Sequence, residues 1–238
     1  MAQSALQKSA SARPLSMTVN IVCTLLAVAA LVALSLFVRA NPQWPVDLQT
    51  TRDVESINAP WFNAIMHTVG LPGYPPQVYV VLVLLLGILW AFKLKWEAVM
   101  ELYAIVGIGI GGLLIKLFVD RARPPVELLN GGTVLDNGKN SFPAGHVESY
   151  VAIFGFLIYL SYTLLPKNSV TRWLSLIVYG LMIAFIGISR VYLGEHWLTD
   201  VIGGYLFGAI WLWLTIQLYQ WGKPRFFTKE RDQADGKH

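Results

Sequence analysis

Long uninterrupted apolar runs separated by short polar segments dominate the chain. A helix needs about 20 mostly apolar residues to cross a bilayer, within a range of about 17 to 25. Six runs answer to that length: residues 17–38, 77–92, 98–119, 147–165, 173–188 and 198–221. The second and fifth are short, and a further turn at either end would complete them. Pro75 and Pro76 precede the second run, Pro143 precedes the fourth and Pro166 follows it. Proline fits the first turn of a helix and stops a helix that reaches it. The pattern predicts an all-α, polytopic membrane protein, a bundle of six transmembrane helices over residues 17–222. Polar tails are expected at 1–16 and 223–238. Residues 41–73 read as an outer loop with a short interfacial helix around 61–69. The first run is longer than the roughly 7 to 15 apolar residues of a signal peptide, so it reads as a retained span.

Composition narrows the class. Of 238 residues, 55% are hydrophobic and 13% charged, about half the charge of a typical soluble domain. This excludes a disordered, collagen-like or coiled-coil chain. The lone Cys23 excludes an internal disulfide and a multi-cysteine zinc site, and is expected as a small buried apolar residue. The net charge of +4 is dispersed between apolar runs, with no basic stripe interleaved with aromatics, so nucleic acid is not an expected partner.

Charge also orients the bundle, because cytoplasmic loops are enriched in Lys and Arg. With the N-terminus inside, 11 of the 18 basic residues fall in cytoplasmic segments. Both termini are therefore expected in the cytoplasm. Trp44, Trp61, Trp90, Trp96, Trp173, Trp197 and Trp221 fall near span ends, as an interfacial aromatic belt would.

In this orientation three polar clusters reach the outer side. Lys116, Asp120, Arg121, Arg123 and Pro124 end the third span. Ser141 to His146 opens the fourth, and Ser189, Arg190, His196 and Asp200 join the last two. Singly, Lys116 or Arg190 reads as a long side chain snorkelling at a helix end. Three clusters converging on one face read as a site, since ionisable groups at membrane depth are costly. Lys116 and Arg123 are seven apart, on one face if the helix continues that far. His196 and Asp200 are four apart, neighbours on a shared helix face. Pro143 and Gly145 fit a helix N-terminus, whose free N–H groups bind phosphate. Three cations and a helix N-terminus describe a phosphoryl site, and His146 and His196 offer a nucleophile and an acid. No carboxylate-rich cluster faces them, so no metal and no other cofactor is expected.

Lys116-x6-Arg123-Pro124, Pro143-Ala144-Gly145-His146 and Ser189-Arg190-x5-His196-x3-Asp200 resemble the three-part signature of the type 2 phosphatidic acid phosphatase superfamily. That superfamily also holds bacterial acid phosphatases and vanadium haloperoxidases. The motifs span residues 116–200, and the six-span layout extends the likeness to most of the chain. The second motif departs from the usual Pro-Ser-Gly-His, having Ala144 at the serine position; Ser141 is the nearest hydroxyl to compensate.

The resemblance implies an integral protein of a bacterial cell membrane. It would hydrolyse a lipid phosphate at the outer face, without a metal, through a phosphohistidine. His196 would be the nucleophile, Asp200 its orienting carboxylate and His146 the acid. Lys116, Arg123, Arg190, Ala144, Gly145 and Ser189 would bind the phosphoryl group. Undecaprenyl pyrophosphate, phosphatidylglycerophosphate, phosphatidate and lipid A phosphates all fit as substrates. The alternatives are a phosphotransferase of the same family, a vanadate-dependent haloperoxidase, whose relatives are soluble, and a degenerate membrane protein without activity.

Other residues read as structural. Gly107 and Gly111, like Gly204 and Gly208, form G-x-x-x-G pairs suited to close helix packing. His67 has no partner in sequence. Asp136, Glu148 and Glu195 lie near the motifs; Glu195 directly precedes His196, and tuning of that ring is the less favoured reading of it.

Overall fold

The computed structural model describes residues 17–125 and 140–226, and among them eight α-helices and one 3-10 turn. They are α1 (Met17–Ala40), α2 (Pro45–Glu55), α3 (Pro60–Gly70), the turn (Leu71–Gly73), α4 (Gln77–Ala91), α5 (Lys95–Val119), α6 (Gly145–Leu164), α7 (Val170–Tyr192) and α8 (Leu198–Phe226). The tail at 1–16, residues 227–238 of the other tail, and Asp136 lie outside the described residues.

Helices α1, α5, α6, α7 and α8 are each long and apolar enough to cross a membrane. The short fifth run gains a turn at both ends and becomes the 23 residues of α7. The short second run does not: α4 keeps 15 residues, about 22 Å of helix at 1.5 Å per residue. That is less than the roughly 30 Å of hydrocarbon. Helix α3 with its turn and α4 are together long and apolar enough to cross, as a pair bent by 63°, the geometry of a broken span or of a re-entrant loop. The short helix expected around 61–69 is α3. A second helix in the outer loop, α2, has too mixed a sequence to stand out as an apolar run.

Helix α6 is the hub, packing against α5, α7 and α8. Within its most apolar stretch 61% is buried, against 17–33% in the other four spanning helices, whose outer faces are left for lipid. The glycine pairs are packing notches. A Cβ at Gly107 would collide with the Trp211 ring, and one at Gly111 would lie 2.6 Å from Phe207 Cζ. A Cβ at Gly208 would lie 2.8 Å from Val151 Cβ on α6. Helices without a hydrophobic drive to associate gain from such close approach.

Two sequence expectations change. Cys23 is exposed on α1, at an open groove between α1 and α8 lined also by Ala27, Leu206 and Ile210. Trp197 is buried, donates its indole N–H to the Ala122 carbonyl at 2.9 Å and stacks under Arg121, so it is not a belt residue. Trp61, Trp90, Trp173 and Trp221 remain exposed near helix ends.

The end of α5, the start of α6, the end of α7 and the start of α8 meet at one end of the bundle. At the other end, Glu97 on α5 accepts hydrogen bonds from Tyr219 and Lys223 on α8, at 2.9 and 2.5 Å.

Candidate active site

The three motifs converge, although not by the local geometry their spacing implies. Helix α5 stops at Val119 because Asp120 turns into the left-handed region, with φ of 47°, a conformation Asp tolerates better than most residues. Lys116 and Arg123 therefore share no helix face. Arg123, held extended before Pro124, returns to the site along a separate strip of chain. His196 likewise precedes α8 instead of riding on it, and Asp200 sits in that helix's first turn.

A cavity of about 290 Å³ opens where these pieces meet, between α4, α5 and α6. Lys116, Arg123, Gly145, His146 and His196 line its polar end. Val78, Val81, Ile153 and Phe154 line the rest. Arg123 Nη1 donates to the Glu195 carbonyl at 3.1 Å and lies 3.5 Å from His196 Nε2. Lys116 Nζ donates to the Pro143 carbonyl. Gly145 opens α6, as expected, with Ala144 as its N-cap. Val147 and Glu148 direct their N–H groups to the Ala144 carbonyl, so those of Gly145 and His146 are the two that face forward from the helix start. His146 packs edge-on against Tyr74, and its Nε2 has no hydrogen-bond partner.

Behind His196 runs a chain of buried charge. His196 Nδ1 lies 3.6 Å from Asp200 Oδ2 and 3.4 Å from the Ser141 hydroxyl. Ser141 donates to Asp200, and the Trp197 N–H does so at 3.0 Å. Arg121 donates to the other Asp200 oxygen at 2.6 Å and, through Nη2, to Asp47 at 2.6 Å. Asp47 also accepts from the Thr199 N–H at 2.9 Å and hydroxyl at 2.7 Å. Ser141 therefore serves Asp200 and does not replace a phosphate-binding hydroxyl at position 144. Burial pulls the His196 imidazole down to about 4; Asp200 acts against this, and the Arg123 charge adds to it. The ring is thus neutral at ordinary pH.

The remaining residues expected at the site stand behind the cavity wall. Arg190 is fully buried and donates to Glu195 at 2.6 Å, Tyr74 at 2.7 Å and Ser189 at 2.8 Å. Ser189 donates to the Met66 carbonyl at 2.6 Å. Ala144 is buried among Val69, Val147 and Val201. Glu195 partners Arg190 and Tyr74, not His196. His67, on α3, does not line the cavity. Arg121 stood in the first polar cluster without a role of its own, and Asp47 and Tyr74 had no signal in the sequence that set them apart from other polar residues; their folded neighbours reveal what the three do. Among the described residues, no three His, Cys, Asp or Glu side chains gather as a metal cage.

Comparison with known proteins agrees with the motifs. Phosphatidylglycerophosphatase B of Bacillus subtilis (strain 168) is 24% identical over 177 residues, 74% of this chain and 85% of that protein. The bacitracin transport permease protein BcrC of Bacillus licheniformis is 30% identical over 139 residues, 56% of this chain and 63% of that one. The crystal structure of a transmembrane PAP2 type phosphatidylglycerolphosphate phosphatase from Bacillus subtilis superposes with a TM-score of 0.71. That match covers 85% of this chain and 98% of that one at 23% identity, a likeness of fold. The sequence pattern of the PAP2 superfamily matches residues 97–224, more than half of the chain, and the chain belongs to that superfamily.

Proposed function

We propose that this protein is a lipid phosphate phosphatase that works at the outer membrane face through a phosphohistidine. The observation that carries this reading is the cavity itself. Two histidines and two cations share a polar end that continues into an apolar one. A volume of about 290 Å³ is at the lower limit of small-molecule pockets. It suits a phosphoryl headgroup whose tails stay in the bilayer, reached sideways between helices.

His196 Nε2 attacks phosphorus while the bond to the leaving oxygen breaks, and His146 Nε2 gives that oxygen its proton. Asp200 stabilises the charge the His196 ring acquires. Water then attacks the phosphohistidine, its proton passes to His146, and the P–N bond breaks to release phosphate. Lys116, Arg123 and the N–H groups of Gly145 and His146 hold the equatorial oxygens as charge spreads over them. Arg190, Ser189 and Ala144 support this cradle from behind. Residues 17–222 form the membrane domain, with both tails in the cytoplasm, following the distribution of basic residues. The relative named for phosphatidylglycerophosphate makes that lipid the first substrate to test.

The test is to trap radiolabelled phosphoenzyme at alkaline pH and to compare p-nitrophenyl phosphate with a lipid phosphate. His196→Ala should lower kcat at least about a thousandfold and form no adduct. His146→Ala should slow the lipid, a poor leaving group, more than p-nitrophenyl phosphate. An adduct in His196→Ala, or equal slowing of both substrates in His146→Ala, overturns the assignment.

A further inference from the structure

Glu148 belongs to none of the steps above, yet it lines the same cavity. It is 3% exposed, and its Oε2 has no hydrogen-bond partner. Its carboxyl group packs onto Gly112 of α5, where a Cβ would collide with it. Lys116 lies one helical turn further along α5 and acts electrostatically on it. A buried carboxyl group of this kind, in a spanning helix with an unused oxygen, is costly unless something uses it.

Its position says what would use it. Along α6 the cavity wall runs from Gly145 and His146, through Glu148 and Ser149, to Ile153 and Phe154. At 1.5 Å per residue, Glu148 and Ser149 lie roughly 5 Å beyond Gly145, between the phosphoryl cradle and the apolar end. The atoms that join a phosphoryl group to its hydrocarbon tails occupy that interval. In a glycerol-linked lipid they include a polar linker; in a prenyl phosphate the hydrocarbon begins at once. A polar step would favour the first class and penalise the second, since the second leaves the carboxyl group buried without a partner.

We infer that Glu148 and Ser149 form a linker subsite, in which Glu148 accepts a hydrogen bond from a hydroxyl group on the leaving part of a glycerol-linked lipid phosphate. This deepens the lipid phosphatase reading and rests on it. The subsite selects substrate by the group beside the ester oxygen, leaving the phosphoryl cradle unchanged.

A matched pair of substrates tests it: phosphatidylglycerophosphate, whose leaving glycerol carries a free hydroxyl, and the deoxy analogue without that hydroxyl. A net hydrogen bond to a buried carboxyl oxygen corresponds to roughly two- to tenfold. Wild-type kcat/KM should favour the hydroxylated lipid by about five- to tenfold. Glu148→Ala should bring that ratio to about one, chiefly through KM for the hydroxylated lipid. Glu148→Gln, which retains an acceptor oxygen, should keep a preference of several-fold. A wild-type ratio near one overturns the subsite, and needs no variant to fold. Equal slowing of both lipids by Glu148→Ala, with p-nitrophenyl phosphate slowed alike, also overturns it and assigns Glu148 to supporting Lys116. Failure of the wild type to hydrolyse p-nitrophenyl phosphate and both lipids would instead sink the phosphatase reading beneath it.

Discussion

His196 is held neutral by burial, and that has a consequence for stability. Its folded pKa of about 4 lies below the ordinary value of 6.5. Between those values the unfolded chain binds the proton and the folded chain does not, so stability is full above about pH 6.5 and falls as pH drops toward 4. The thermal midpoint in detergent should therefore decline from pH 7 to pH 5, and His196→Gln should flatten the decline. An equally steep decline in the variant would show that other groups set it. Arg121 is the second residue on which the site hangs, since it joins Asp200 to Asp47 inside the protein. Arg121→Gln leaves two buried carboxylates without their cation, and breaking a buried ionic network costs about 3–5 kcal/mol. The variant should lose both activity and thermal stability, and wild-type stability in it would contradict the network.

At the scale of elements, α5 carries two glycines with opposite expected behaviour. Gly107 faces the Trp211 ring, which packs against Tyr103 and Phe207, whereas a Cβ at Gly109 meets nothing within 4 Å. Gly107→Ala should force α5 and α8 apart and destabilise by about 1–3 kcal/mol. Gly109→Ala should be neutral or stabilise by up to about 1 kcal/mol through helix propensity. Comparison of their melting midpoints checks both, and similar values would contradict the packing. The element boundaries also show where reading by period falls short. The apolar runs of α1, α5 and α8 were legible because each is long and uninterrupted. The bend between α3 and α4 was not: the run at 77–92 stood out as a short span, but an apolar run does not show the angle at which the helix before it joins. Helix α2 was also hidden, being short and of mixed polarity.

At the scale of the molecule, the motifs gather at one end of the bundle, and the distribution of basic residues is the ground for the outward orientation proposed above. A cysteine at Asp53 on α2, in a Cys23→Ser background, should react with a membrane-impermeant thiol reagent on intact cells. Labelling only after permeabilisation would invert the topology. In the proposed mechanism the cations that line the cavity do the work that a metal would do elsewhere. EDTA should leave activity within about twofold, and a loss restored by Mg²⁺ would contradict this.

The sequence by itself determined the helical membrane class, because hydrophobic length is a local property of the chain. It also marked Lys116, Arg123, His146, His196 and Asp200, whose chemistry is written in residue type and short spacing. The tertiary structure decided how they meet. Arg123 arrives by a chain reversal and His196 from a loop, where helical spacing had placed each on a helix face. Only the fold could bring Asp47 to Arg121, 74 residues away, and Glu195 to Tyr74, 121 residues away. Pairs so distant along the chain have no periodicity, and each charge found its partner because neither could be buried alone.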